Sequence, residues 1–443
     1  MEFKDFFVTP VYLGFFCIAV YVIRPYYTNE LTRGYFIPAL LVKFAGAIIV
    51  GFIYQFYYQG GDTFSFTTHG SQHIWNAFLD SPPKAFRMLL LDAGEKDPST
   101  FEYTSRIFFY RDKSSYFIIK VAGFFSFFSF HTYSTMALFF AVMSFSGSWA
   151  FYSVFSKLYP HLSKPLAFGI LFVPSVFFWG SGVLKDTLTL AALGWFTYAI
   201  YQFFIINNRK LSSVFLMAIS TYILVNVKIY IFLCFAPAAI IWVFLYKANQ
   251  IRSTFLKFAA VPFFLAIGAG VGYLAIDSAS GLDSRYQLDG LAERVKITAY
   301  DIRYGTGKNA GSGYSLGELD GSFANLVSLA PAAINVSLFR PYLWEVRNPL
   351  MLISALESLG ILLLTLIILL RKSRRLISEL KNPNIVFCLI FSLTFAFAVG
   401  VATYNFGSLS RYKIPLFPFY LTALMVLNDD QKDKPRVRDM TVQ

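Results

Sequence analysis

Apolar residues run along this chain in blocks of about twenty, broken by short polar links. The blocks fall at 7–23, 35–58, 131–155, 165–183, 186–206, 211–227, 229–247, 255–276, 350–370, 384–403 and 414–428. About twenty residues of helix cross the roughly 30 Å hydrocarbon layer of a bilayer. Only a helix satisfies its own backbone groups there. The pattern predicts an all-α, polytopic transmembrane helix bundle of about 11–12 spans, forming one integral membrane domain over 1–443. Segment 116–130 is the twelfth candidate; it is shorter, and Lys120 interrupts it.

Two polar insertions separate the blocks. The first, 59–115, holds short amphipathic pieces at Ser71 to Leu79 and Lys84 to Leu91, interrupted by Ser81-Pro82-Pro83 and by Gly94 to Pro98. Such pieces lie on a bilayer surface. The second, 277–349, carries a predicted helix near Leu288 to Tyr304. A glycine-rich stretch and an apolar return from Phe323 to Leu338 follow.

Composition agrees with this class and excludes a soluble enzyme. Hydrophobic residues make up 56% of the 443 and charged residues 14%, where soluble chains carry about 25% charged. No basic n-region precedes the first block, so that span is expected to stay in the mature protein. The net charge of +13 follows the positive-inside pattern rather than a nucleic-acid footprint. Arg209 and Lys210, Lys247 to Lys257, Arg371 to Arg375 and the Lys432 to Arg438 tail mark cytoplasmic links and a cytoplasmic C-terminus. Counting back places 277–349, 183–186 and 404–413 outside. If 116–130 spans, loop 59–115 is cytoplasmic. If it lies along the interface, 59–130 is an external loop with juxtamembrane helices, and Arg24 and Arg33 become cytoplasmic. The charge rule prefers the second arrangement.

Charges at span ends are the candidate chemistry, because carboxylates and cations near hydrocarbon are costly. Asp62 stands at the exit of the second block, behind Gly60 and Gly61. Lys185 and Asp186 open a block after almost no loop. Lys228 sits in a tight link between two blocks. Arg340, Trp344 and Glu345 close the second insertion, and Arg411 and Lys413 precede the last block. Each has a plain structural reading: a snorkelling lysine, or a local ion pair worth little. Gathered on one face they match a lipid-phosphate donor site. The cations would hold phosphate, and Asp62 would take the proton from an acceptor hydroxyl. His69 is a less favoured helper. His69 and His73 are one helical turn apart but lack the intervening glutamate of zinc proteases, and no metal set is predicted. Lys43 is the one basic residue at membrane depth, with its role left open between a lipid pathway, a water-filled gap and a carboxylate partner.

These residues resemble the GT-C class of membrane glycosyltransferases, which use polyprenyl-phosphate-linked sugars. Gly61-Asp62 looks like the acidic site opening that class's first external loop. Arg411-Tyr412-Lys413-Ile414-Pro415 is similar to segments near its last spans. One additional span precedes Asp62, and Thr63-Phe64 follows it where that class often has a second acid. The whole chain also looks like membrane proteins of Bacteroidetes-type bacteria. The resemblance implies sugar transfer on the outer face of a bacterial cytoplasmic membrane. The donor would be a lipid-linked sugar, and the acceptor a glycan, lipid or protein, with membrane lipids around and no nucleic acid. No cofactor is indicated by the residues; the resemblance leaves room for a divalent cation. An O-antigen-type polymerase, a transporter or flippase, and a non-enzymatic envelope subunit are the alternatives.

Overall fold

The computed structural model describes residues 3–248, 312–317, 322–373 and 376–429, with a few positions between 296 and 320. The described residues are helical, with a single isolated bridge between Gly313 and Asn405 outside the helices. In chain order the first helices are α1 (Asp5–Tyr27), α2 (Arg33–Phe52), α3 (Asp62–Phe66), α4 (Gln72–Asp80), α5 (Pro82–Leu90), α6 (Phe101–Thr104) and α7 (Lys113–Ser129). Next come α8 (Tyr133–Leu158), α9 (Ser163–Leu171), α10 (Pro174–Trp179), α11 (Lys185–Ile200) and α12 (Leu211–Ala248). The remainder are α13 (Phe323–Ser328), α14 (Ala330–Phe339), α15 (Pro349–Lys372), α16 (Leu376–Glu379), α17 (Pro383–Thr403), α18 (Phe406–Tyr412) and α19 (Leu416–Leu427).

Among the described residues, seven helices are long and apolar enough to cross a membrane: α1, α2, α8, α11, α12, α15 and α17. This is a multi-pass membrane protein, but its spans are not the eleven uniform blocks of the sequence reading. Block 165–183 is two short helices. Proline disfavours a helical residue before it, so Val173 is extended (ψ 123°) and Pro174 restarts the chain as the first residue of α10. Block 414–428 shortens to the twelve residues of α19. The expected span at 255–276 lies outside the described residues, as does the helix near 288–304 except for helical positions at Lys296, Ile297 and Tyr300.

Blocks 211–227 and 229–247 are one helical element, α12, interrupted at Lys228 (φ −149°, ψ 80°). A straight helix of that length would run roughly 57 Å. Instead Lys247 Nζ donates to Asn207 Oδ1 at 2.8 Å, so the element folds back and its two ends meet.

This return defines two ends of the bundle. Lys228, Asp186 and Asp62 mark one, called here the site end. Asn207 and Lys247 mark the other, where His161 meets Asp429 at 2.6 Å and Trp149 Nε1 donates to the Tyr27 carbonyl at 3.1 Å. Both termini of α7 are tied to the site end: Asp112 to Lys185 at 3.3 Å, and the adjoining Tyr133 hydroxyl to Thr63 at 2.8 Å.

Packing is densest where small residues let backbones touch, the usual device when no hydrophobic drive separates helix from lipid. Helix α8 packs on α11 and α2, α11 on α12, and α17 on α12, α14 and α19. A Cβ on Gly194 of α11 would collide with the carbonyl of Gly147 on α8. A Cβ on Gly400 of α17 would strike the Ala333 carbonyl of α14.

Candidate functional site

The turn carrying Asp62 is built by glycine. Helix α2 ends in a wider π-helical turn, Ile53–Tyr57. Gly60 and Gly61 then take φ of +141° and +118°, a region open to glycine but not to ordinary L residues. At Gly61 a Cβ would also lie 2.7 Å from the Tyr54 ring. The chain therefore doubles back tightly, and Asp62 becomes the first residue of α3.

Asp62 does not stand alone. Its Oδ2 forms an ion pair with Arg411 Nη2, 2.7 Å away. Arg411 also donates through Nε to Asp186 Oδ2 at 2.7 Å and through Nη1 to the Tyr54 hydroxyl at 3.1 Å. The other oxygen of Asp186 accepts from Lys228 Nζ, whose ammonium also lies 4.2 Å from the Tyr412 ring centroid. Two acids and two bases thus balance. They come from the start of α3, the start of α11, the break in α12 and the end of α18. Burial grades the network: the Asp186 side chain is fully buried, that of Lys228 is 8% exposed and that of Asp62 is 41% exposed.

A cavity of about 710 Å³ opens beside this network. Asp62, Arg411 and Tyr54 line one side; Ser175, Asn348 and Glu357 add polar groups. The lining also includes Ile49 of α2 and Ile353 of α15, which are 47% and 56% exposed on the bundle's flank. The cavity therefore joins a charged end to an apolar flank.

Its floor is α10, a six-residue helix held by a charge at each end. Glu357 on α15 accepts from the Ser175 amide at 2.7 Å and its hydroxyl at 2.6 Å, at the helix start. Lys43 on α2 donates to the carbonyls of Val176 (3.1 Å) and Gly180 (3.0 Å) at the helix end, and to Ser144 Oγ at 2.9 Å. Acid at the start and base at the end is the arrangement the helix dipole favours. Lys43 uses its three donors on this cap, so its partners are carbonyls and a hydroxyl, not a carboxylate or a lipid path.

The remaining sequence candidates fall in other places. Lys185 turns away from its neighbour Asp186 and pairs with Asp112 and with Ser114 Oγ at 2.6 Å. Lys228, expected to offer its ammonium to a phosphate, is instead buried against Asp186 and does not line the cavity. Arg340 and Glu345 pair with each other, Arg340 Nε donating to Glu345 Oε2 at 3.0 Å. Burial opposes it, but this bond and the Tyr342 amide hold the Glu345 carboxyl below its ordinary range. Trp344 is 82% exposed and stacks on Tyr342. Lys413 is buried and donates to the Arg340 carbonyl at 2.9 Å and to Ser358 Oγ at 3.1 Å. His69 is exposed in the turn Thr67–Ser71 and lies outside the cavity lining. For His73, burial and then the charges of Arg106 and His69 lower the imidazole pKa. Among the described residues no three His, Cys, Asp or Glu side chains gather as metal ligands.

Of the ten sequence candidates, then, Asp62 and Arg411 line the cavity, Asp186 supports them from behind, and Lys228 supports Asp186. Glu357 and Tyr54 were not foreseen. Glu357 carried a usable signal, as a lone acid inside an apolar run; Tyr54 carried none.

No known family model matches the chain, and no curated protein or solved structure matches it significantly.

Proposed function

We propose that this protein is a membrane glycosyltransferase that moves a sugar from a polyprenyl-(di)phosphate donor to an acceptor hydroxyl. The observation that carries the reading is the contact of Asp62 with Arg411 on the wall of a cavity whose flank is apolar. A prenyl chain fits between α2 and α15, beside Ile49 and Ile353. The phosphate group then meets Arg411, whose planar donors suit phosphate oxygens. The acceptor hydroxyl gives its proton to Asp62 as its oxygen bonds to the sugar carbon. The carbon–oxygen bond to phosphate breaks, and the phosphate leaves with the electron pair. A neighbouring carboxylate also stabilises oxocarbenium-like charge on the sugar.

Sidedness follows the same reading. Arg24, Arg33, Lys157, Lys164, Arg209 and Lys210 belong to the end opposite the site, which becomes cytoplasmic by the charge rule. The site then faces outward from a bacterial cytoplasmic membrane, where acceptors are envelope glycans, lipids or proteins.

A second reading rests on the Asp62–Arg411 pair itself. If Asp62 is only the counter-ion of Arg411, the site belongs to a polysaccharide polymerase that needs the arginine and no carboxylate base. Sugar transfer from a polyprenyl-phosphate donor, measured in detergent, separates the two. Loss of a general base costs about 10²- to 10⁴-fold, so Asp62→Asn is expected to lose that much at normal expression. Near-parental transfer by Asp62→Asn alongside loss in Arg411→Ala selects the polymerase. Parental rates in both variants remove the cavity from the chemistry.

A further inference from the structure

Arg411 has two carboxylate partners of very different burial, and this asymmetry says which one yields to a ligand. Its Nε holds Asp186, which is fully buried and also held by Lys228. Its Nη2 holds Asp62, whose side chain is 41% exposed and lies on the cavity wall. Water and salt screen the second pair and hardly reach the first. An uncompensated buried charge is expensive, so Asp186 keeps its arginine. Nη2 is the face of the guanidinium that can exchange partners.

We infer that Asp62 occupies the position on Arg411 Nη2 that a phosphate monoester or diphosphate takes on binding. The arriving phosphate displaces one carboxylate oxygen and leaves Arg411 fixed through Nε on Asp186 and through Nη1 on the Tyr54 hydroxyl, 3.1 Å away. Asp62 is thereby released toward the cavity with a lone pair no longer engaged. The base is masked until the donor arrives. Water meets a carboxylate held by arginine, while an acceptor hydroxyl meets a free one. Lys228 stays behind Asp186 throughout and sets the charge balance that makes Arg411 immobile.

This inference rests on the proposed reading for the role of the freed carboxylate, but the phosphate site itself does not. Its consequence runs against ordinary expectation: removing the presumed base tightens phosphate binding. The probe is farnesyl phosphate, titrated into the detergent-solubilised full chain while following intrinsic tryptophan fluorescence or thermophoresis. Farnesol and inorganic phosphate serve as the two half-ligands. Asp62→Asn is expected to bind farnesyl phosphate about two- to fivefold more tightly than the parent, the scale of a part-exposed ion pair. Arg411→Ala is expected to bind it at least tenfold more weakly. Asp80→Asn removes a carboxylate that is paired with Lys84 at 2.7 Å on α5, outside the cavity lining. It is expected to leave binding unchanged. Size-exclusion profiles check folding, and Asp62→Ser repeats the test if Asp62→Asn is unstable.

Equal or weaker binding by folded Asp62→Asn overturns the inference. So does equal tightening by Asp80→Asn, which marks a general charge effect, and so does a parent that binds no phosphate. Farnesyl phosphate binding that inorganic phosphate displaces only in large excess assigns the site to a lipid phosphate. Equal competition assigns it to free phosphate, with the exchange on Arg411 intact. Tightening in Asp62→Asn from a chain that transfers no sugar keeps the phosphate site and sinks the glycosyltransferase reading alone.

Discussion

Charge balance in the buried network makes one perturbation especially informative. Lys228→Met removes an ammonium that is 8% exposed from a carboxylate that is fully buried. Two charges about 4 Å apart interact by roughly 4 kcal/mol at an effective dielectric near 20. Breaking a buried pair by deleting one partner costs about 3–5 kcal/mol, because the survivor stays desolvated. Arg411 is left to serve both Asp186 and Asp62, and the Tyr412 ring loses its cation. Asp186→Asn alone is expected to be at least as harmful, since it leaves Lys228 and Arg411 facing each other with only the part-exposed Asp62. The double variant Lys228→Met with Asp186→Asn removes one charge of each sign and leaves the Arg411–Asp62 pair complete. Its expected cost is about 1–2 kcal/mol, the ordinary scale of an imperfect buried substitution. Each single is therefore about 2–3 kcal/mol less stable than the double, and the coupling, the sum of the singles less the double, is about 4 kcal/mol or more. Thermal unfolding in a fixed detergent, followed by the fluorescence of the six tryptophans, ranks the four proteins. The expected order of stability is parent, double, then either single. A double variant as unstable as the sum of its singles refutes the pairing. So does a Lys228→Met protein that unfolds within about a degree of the parent.

The cap on α10 gives a second prediction. Lys43→Met deletes charge-assisted bonds to two carbonyls and a hydroxyl but relieves the burial of an ammonium, for a net loss of about 2–4 kcal/mol; an unchanged melting temperature refutes the capping role. Gly194→Leu forces α11 off α8 and is expected to abolish a monodisperse size-exclusion peak, whereas Gly360→Leu, where a Cβ meets open space, leaves it intact. Single cysteines at Gln59 and Asn348 are expected to react with an impermeant maleimide from the same side of intact vesicles, and cysteines at Asn208 and Lys381 only from the other; labelling of all four from one side refutes the two-ended bundle. Burial works against it, yet the Ser115 hydroxyl and the Lys185 ammonium hold the Asp112 carboxyl below its ordinary 3.8. A depressed carboxyl contributes stability that is complete above the unfolded value and lost as pH falls through the folded one. The melting-temperature gap between parent and Asp112→Asn is therefore expected to close as pH falls below about 4, and a gap independent of pH refutes the pair.

The class of the fold was legible because hydrocarbon imposes a length on every span. Residues 35–58, 350–370 and 384–403 read in sequence within a few positions of α2 with its π turn, α15 and α17. Block 165–183 misled because its hydropathy is continuous while its backbone is not; Pro174 carried the break, and an apolar count does not weigh it. The tight link at Lys228 was readable from a lone lysine between two apolar runs. Its partner was not readable, because Lys228 and Asp186 are 42 residues apart. Neighbours in sequence suggested a Lys185–Asp186 pair, but successive residues of a helix point in different directions, and these two side chains serve different partners. Asp62 and Arg411 were marked as costly charges at span ends. Their direct contact depends on tertiary packing that no local pattern encodes.

The distances in sequence across this site also set the order in which the membrane receives it. Helix α2 enters the bilayer with Lys43 unpartnered, at a cost of about 2.5–3.5 kcal/mol by insertion scales. The mean hydropathy of 2.3 over eighteen residues of that segment, Lys43 included, offsets it. The carbonyls that receive the ammonium are synthesised 133 and 137 residues later, and the arginine that reaches Tyr54 357 residues later. A nascent chain thus carries Asp62 for hundreds of residues before Arg411 is made. The charged network closes only when the helices after residue 400 slide in beside α2 and α11, so the site is completed by segments made long after the turn that carries Asp62.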